Sequence, residues 1–268
     1  VFLVNPNNPT GTSIRNSDII KIIKKAQKNN AIVVIDEAYY QFYGKTSIPL
    51  IKKYNNLIIT QTFSKAFGLA GLRLGYIISN ENNIRNIQKV LSPYSVNNVA
   101  VKCAFAALKD LNFVKKYVKE VKESKTILYK ALEFLGIKYY KSDANFILLK
   151  IGDKAEYFCE KLKYYGVLVR SRNEDQLLEG CARVTLGTIN QTKRLIAAIS
   201  KIIKDINALL IFDIDGVVVD VSKSYRIAII STAEYFTKEK VAFNEIQSYK
   251  NKSGYNNDWD LTEAIIKG

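Results

Sequence analysis

Short apolar runs alternate with segments of helical period along the first two-fifths of the chain. Residues 1–4 form a short apolar run. It leads into 5–12, Asn-Pro-Asn-Asn-Pro-Thr-Gly-Thr, which is dense in turn formers, and Asn8-Pro9 is expected to be a cis bond. Ser17-Asp18 is read as the cap of a basic amphipathic helix over 18–29. A second buried strand over 31–35 ends in Asp36-Glu37-Ala38-Tyr39. Carboxylates at such a strand end lie where open parallel sheets bind ligands; the alternative is a solvated strand end. Strands are expected at 57–61 and 74–79, and a helix near 81–90. Short connections between these elements predict an α/β unit with a mostly parallel sheet.

Helical spacing continues over 97–109 and 113–135. After Gly136 the texture changes. Short strands are expected at 137–140, 146–151, 167–170 and 182–186, with helices near 153–165 and 190–206, which together make an α+β unit. Arg170 and Arg183 each fall on or at the end of a strand. An arginine in an apolar strand requires an anionic partner, either a structural carboxylate or a ligand. Residues 209–215 read as a further buried strand ending in Asp213 and Asp215, two apart on one pleat face. Two like charges placed so call for a divalent cation such as Mg2+.

Composition narrows the chemistry. The 268 residues contain no His, which removes Ser-His-Asp triads, Cys-His dyads and His-ligated zinc. Proton transfer must therefore use Lys, Tyr, Asp, Glu or a cofactor. Cys103, Cys159 and Cys181 are far apart and form no metal-type pair, as in a reducing, cytoplasmic compartment. No run is apolar enough to span a membrane. The formal charge of +15 raises nucleic-acid binding as an alternative. The lysines are dispersed, however, and no base-reading motif accompanies them, so neither nucleic acid nor membrane is the expected partner. Residues 1–206 carry 33 basic and 16 acidic side chains, and the remainder 7 and 9. That shift suggests a boundary near 206. The opening apolar strand and the absence of Met suggest that the chain continues a longer one.

The most informative stretch is 62–76, TFSKAFGLAGLRLGY. Lys65 follows an apolar strand, lies between hydroxyl-bearing residues and small residues, and precedes Arg73 by eight positions. Its alternatives are a surface lysine in a glycine-containing turn or a nucleophilic amine.

Taken together, NPNNPTG, DEAYY, TFSKAFGLAGLRLGY and the later SDANF, GVLVR and CARVTLGT resemble class I/II, fold-type I aminotransferases dependent on pyridoxal 5′-phosphate. Within these, the histidinol-phosphate aminotransferase branch is the most similar. The resemblance covers about residues 1–206. It implies a partial large domain over 1–110 and a small domain over 111–206. By this resemblance Lys65 holds the cofactor as a Schiff base and moves the substrate's Cα proton. Asp36 pairs with the pyridine nitrogen, and Tyr39 and Asn8 donate to the phenolic oxygen. Thr62, Ser64 and Arg73 bind the phosphate. Arg183 clamps the substrate α-carboxylate, Arg170 is a second anion contact, and Asn145 lies near the substrate. The implied reaction is transamination between a small-molecule amino donor and acceptor, most simply histidinol phosphate with 2-oxoglutarate or glutamate. The implied assembly is a homodimer. Threonine-phosphate decarboxylases share these motifs. The family's phosphate-binding glycine loop and the aromatic ring stacked on the pyridine precede them and are not in this chain.

The tail LLIFDIDGVVVD resembles the first motif of haloacid-dehalogenase-type phosphohydrolases. It implies that 207–268 begins a truncated domain with Asp213 as nucleophile, Asp215 as general acid/base, and Mg2+ between them.

Overall fold

A computed structural model describes residues 1–206, 224–251 and 257–267. The chain divides into two compact units, Val1–Asn207 and Ala208–Gly268.

In the first unit, β1 (Phe2–Val4), β2 (Val33–Asp36), β3 (Leu57–Thr62) and β4 (Gly75–Ser79) form a sheet in that order. β1, β2 and β3 run parallel, whereas β4 is antiparallel to β3. The sheet is thus mostly parallel, as expected, and mixed through β4. The Phe63–Leu74 connection contains only a 3₁₀ turn at Ala70–Leu72, with no crossover helix to return the chain in the same direction. Between β1 and β2 runs α1 (Asn16–Lys28). Its Ile19, Ile23 and Ala26 close over Val33, Ile35, Leu57 and Ile59. Each such fully buried aliphatic side chain contributes about 1.5–3 kcal/mol. The expected cap at Ser17-Asp18 is not used. Arg15 is the N-cap and makes no side-chain cap bond, while Asp18 pairs with Arg15 and Lys21 in the first turn. Both Asn5-Pro6 and Asn8-Pro9 are cis, where the sequence singled out only the second.

After β4 come α3 (Glu81–Gln88), α4 (Asn98–Lys109) and the 24-residue α5 (Leu111–Phe134). A second sheet follows, built from β5 (Lys138–Tyr140), β6 (Phe146–Lys150), β7 (Arg170–Ser171) and β8 (Cys181–Thr185) in the order β5-β6-β8-β7, all antiparallel. The strand expected at 167–170 shrinks to two residues. Helix α6 (Ala155–Tyr164) precedes it, and α7 (Ile189–Ile206) follows β8. One face of this sheet presents Ile147, Leu149, Ala182 and Val184, which join Leu128 and Leu132 of α5 and Ile199 and Ile202 of α7 in the main core. Alternation sends Phe146, Arg183 and Arg170 to the other face. The arginines thus share their face with the buried Phe146 and Leu148.

Helix α5 also grips the loop before β6. The Lys125 amine donates to Ser142 O at 2.7 Å, and the Tyr129 hydroxyl accepts from Ser142 N at 2.9 Å. Burial pulls the Lys125 ammonium down to about 8, with Asp143 pulling up and Lys122 down. A lysine of the unfolded chain titrates near 10.5, so between the two values the unfolded state holds the extra proton. The stability that Lys125 contributes therefore rises as pH climbs from about 8 toward 10.5. The difference in unfolding free energy between wild type and Lys125→Met should widen in favour of wild type over that range, as denaturant titrations at pH 7.5 and 10 would read.

In the second unit, α8 (Ser224–Thr237), α9 (Phe243–Lys250) and α10 (Asp258–Lys267) share a small core of Ile229, Ala233, Ile246, Leu261 and Ile265. The strand expected over 209–215, with Asp213 and Asp215, lies outside the described residues. Among the described residues, no group of three or more acidic or cysteine side chains could hold a metal ion. None of the described helices is long and apolar enough to cross a membrane.

Candidate active site

The site lies where the C-terminal ends of β2 and β3 meet the charged face of the second sheet. β2 ends at Asp36, whose Oδ1 accepts the Ala38 N–H at 3.0 Å. This bond folds the chain back immediately after the strand and places Tyr39 beneath the second sheet. The Tyr39 ring is buried, packed edge-on to Phe146 with centroids 5.2 Å apart. Burial raises the Tyr39 hydroxyl above its usual range, with Arg183 opposing and Asp36 reinforcing the shift. The hydroxyl therefore stays protonated at neutral pH and is available as a donor.

Lys65 sits in the loop after β3. Phe63, Ala66 and Phe67 around it are buried and anchor the loop, and the lysine itself is half-buried. Its Nζ lies 5.5 Å from the Tyr39 ring centroid. Thr62 and Ser64 shape the same loop. Thr62 Oγ1 donates to Leu74 O at 3.3 Å and accepts from Ser64 N at 3.0 Å. Arg73 is exposed, with φ 54°, and its Nη1 donates to Ala70 O at 3.0 Å. One of its five donors thus bonds its own turn.

Arg183 stands across from this cluster. Its guanidinium lies 5.2 Å from the Phe146 ring centroid, and Nη1 donates to Asn8 Oδ1 at 2.6 Å. Its Nε is buried with no acceptor. Burial first, and then Arg172, depress its pKa. A buried guanidinium N–H lacking an acceptor costs about 1–3 kcal/mol, more for a charged group, a cost that an acceptor entering the site would relieve. Arg170 lies opposite Arg183 in the β7–β8 ladder but is exposed. Asn145 is buried. It bonds the Tyr117 hydroxyl through its side chain and accepts from Leu186 N at 2.8 Å through its backbone oxygen. Its place is therefore the wall that carries Phe146.

Asn8, Asp36, Tyr39, Lys65 and Arg183 thus share one neighbourhood, with Thr62 and Ser64 framing the lysine loop. Arg73 is exposed and bonds its own turn, and Arg170 is exposed beside Arg183 in the ladder.

Three features escaped the sequence reading. Phe146 serves both Tyr39 and Arg183, and its only signal was its place in SDANF. Arg172 is a third cation near Tyr39 and Arg183; its Nη1 pairs with Asp175 at 2.9 Å and its Nε has no acceptor. Its spacing of two from Arg170 would have put it on the same face. Glu37 is the third. It is only 1% exposed, where a solvated strand end was the alternative. Its carboxylate accepts from Thr46 Oγ1 and Ser47 N, each at 2.6 Å, and from Gln61 Nε2 at 2.9 Å, while Gln61 Oε1 accepts from the Tyr76 hydroxyl. This network pins the β2 end next to Asp36. Glu37→Ala would strand those donors in the interior and should cost about 3–5 kcal/mol, read as a lower denaturant midpoint.

Residues 1–199 match the family model for aminotransferase class I and II. The chain belongs to that family. As an aminotransferase-family chain it is 42% identical over 209 residues to the histidinol-phosphate aminotransferase of Thermoanaerobacter pseudethanolicus, covering 76% of this chain and 57% of that protein. It therefore spans a little over half the length of the curated relatives it matches. Histidinol-phosphate aminotransferase from Sinorhizobium meliloti, solved in complex with pyridoxal-5′-phosphate, superposes with a TM-score of 0.67 at 26% identity, over 77% of this chain and 57% of that one. L-threonine-O-3-phosphate decarboxylase from Porphyromonas gingivalis gives 0.67 at 25% identity, over 76% and 64%. The fold is accordingly that of fold-type I aminotransferases, α/β with a mixed sheet.

Proposed function

We propose that this chain is the lysine-bearing part of a pyridoxal-phosphate-dependent transaminase. Its expected substrates are an amino acid or amino phosphate ester, with histidinol phosphate and 2-oxoglutarate or glutamate as the first pair to test. The observation that carries this reading is the buried Arg183 Nε without an acceptor, facing a cluster of Lys65, Tyr39 and Asp36. The donor set fits the cofactor: an amine, a carboxylate, a protonated phenol and loop hydroxyls meet in one place. When bound, pyridoxal phosphate supplies an aldehyde for the amine and a ring that accepts the electron pair of a cleaved Cα bond.

The chain's own residues supply the rest. Asp36 accepts from, and so retains, a proton on a ring nitrogen. The Tyr39 hydroxyl and Asn8 amide donate to a phenolic oxygen. Thr62 and Ser64 offer hydroxyls to phosphate oxygens, and Arg73 could join them by releasing Ala70 O. Lys65 Nζ moves the substrate proton, the role left open by the absence of His. Arg183 orients a carboxylate through a planar fork of donors, and Arg170 is a second anion contact across the ladder.

A homodimer is the proposed assembly. Val90, Leu91, Tyr94, Val99, Phe105 and Phe113 are exposed on and around α3 to α5 and offer apolar side chains to a second copy.

The test is incubation with pyridoxal phosphate, borohydride reduction and peptide mass mapping, followed by assays with histidinol phosphate. The expected results are a reduced adduct on Lys65 and consumption of 2-oxoglutarate. An adduct absent from Lys65 would overturn the reading. Release of carbon dioxide from threonine phosphate without consumption of an oxo acid would favour the decarboxylase reading that the Porphyromonas likeness supports.

A further inference from the structure

Asn8 is exposed and sits in a loop without regular structure, yet it is held accurately enough to bond Arg183 at 2.6 Å. What holds that loop lies on the far side, away from the cluster around Lys65. Gly11 N donates to Asn7 O at 2.7 Å and Asn7 N donates to Thr12 O at 2.8 Å, closing the turn on itself. The turn then rests on the loop before β6. Asp143 N donates to Gly11 O at 2.8 Å, and Ser13 Oγ donates to Asp143 Oδ2. The approach is so close that a Cβ on Gly11, at φ +75°, would lie 2.6 Å from Ser142 Cβ. Ser142 is in turn held from α5: its carbonyl, part of the Ser142–Asp143 peptide, accepts from Lys125, and its own N–H donates to the Tyr129 hydroxyl. A path of direct contacts therefore runs from α5 through Ser142 and Gly11 to Asn8 and Arg183.

We propose that Lys125 is a positioning residue for the Asn8–Arg183 pair, acting through the Ser142–Asp143 peptide and the Gly11 turn that rests on it. The inference builds on the reading of Arg183 as the anion clamp. The amine suits this task because it donates to the Ser142 carbonyl in either protonation state, whereas Asp143, its nearest acidic neighbour, is engaged by Ser13. Removing the donor leaves a partly buried carbonyl unsatisfied and frees one edge of the peptide on which the Gly11 turn sits. The loss then appears at Asn8 as a wider range of amide positions and at Arg183 as a less constrained guanidinium.

The test uses Lys125→Met, Lys125→Arg, Asn8→Ala and the Lys125→Met/Asn8→Ala double variant of the 268-residue chain loaded with pyridoxamine phosphate, the cofactor form that takes an oxo acid. Hydrogen exchange is read by mass spectrometry, and 2-oxoglutarate affinity by calorimetry. Lys125→Met is expected to speed exchange of peptides 7–13 and 142–144 about tenfold, leaving 57–62 unchanged. It should weaken 2-oxoglutarate binding about tenfold, the scale of one lost charge-assisted hydrogen bond. Lys125→Arg, which keeps a donor, should restore both. The double variant should lose little more affinity than Asn8→Ala alone, because the two changes act on one element. Unchanged exchange over 7–13 in Lys125→Met, or fully additive losses in the double variant, would overturn the proposal. If wild type binds no 2-oxoglutarate, the Arg183 assignment fails, and the exchange of 7–13 still decides the role of Lys125.

Discussion

Lys65→Ala is expected to abolish the borohydride-trapped pyridoxal adduct and to lower transamination by at least about 10⁴-fold, since one change removes both the nucleophile and the proton carrier. The same change should barely touch stability. The Lys65 side chain is half-buried on a loop, and the contact of its amine is the Tyr39 ring at 5.5 Å, an interaction worth about 0.5–1 kcal/mol. The residues that hold the loop are Phe63, Ala66 and Phe67, all buried, and the substitution leaves them in place. A surface lysine in a glycine-containing turn predicts the opposite pattern: no adduct on Lys65 in the wild type and no effect of its removal. Peptide mapping of the reduced adduct, with oxo-acid consumption beside it, separates the two. Lys65→Arg adds a control, because it keeps the charge beside Tyr39 while removing the primary amine. It should be as inactive as Lys65→Ala.

The apolar runs of β2 and β3 were legible because central strands are largely buried, leaving continuous hydrophobic stretches that end at Asp36 in β2 and at Thr60 in β3. The same pattern could not show the direction of β4. An apolar strand after a glycine-containing loop reads identically in either orientation, and direction is set by whether a helix intervenes. Strand β7 was overdrawn for a related reason. Val167 to Val169 are apolar, yet Val167 and Val169 pack against the main core as irregular chain, Leu168 is exposed, and none of the three pairs in the sheet. At the site, residues within contiguous motifs were found and those defined by packing were not. Glu37 looked like half of a solvent-facing acidic pair, because nothing in its neighbourhood reveals that Thr46, Ser47 and Gln61 will surround it. Arg73 illustrates the converse. Its place after the lysine loop implies a phosphate contact, while in the fold its Nη1 bonds Ala70 O of the local turn.

Arg183 offers the sharper discrimination, because its two possible meanings predict opposite signs for stability. A structural arginine would carry its anionic partner within the fold, and removing it would cost several kcal/mol by stranding a buried carboxylate. In this chain the neighbour at hydrogen-bond distance is the neutral Asn8 amide. Arg172 and Arg170 add repulsion, and the Nε has no acceptor. The side chain is thus held in a conformation that the ligand-free fold does not favour, a pattern expected of binding sites. Arg183→Met, of similar length and able to keep the contact with Phe146, should therefore leave the melting temperature of the ligand-free chain unchanged or raise it by a few degrees. It should also reduce kcat/KM for carboxylate-bearing amino donors by roughly 10²–10³-fold, the scale of a lost bidentate charge-assisted pair in a desolvated site. Arg183→Lys should recover little, since a point charge cannot reproduce the fork. Calorimetric melting of the ligand-free variants beside steady-state kinetics reads both signs. A large drop in melting temperature for Arg183→Met would mean that the guanidinium is bonded within the fold, and the anion clamp would then have to be sought at Arg170 or Arg172.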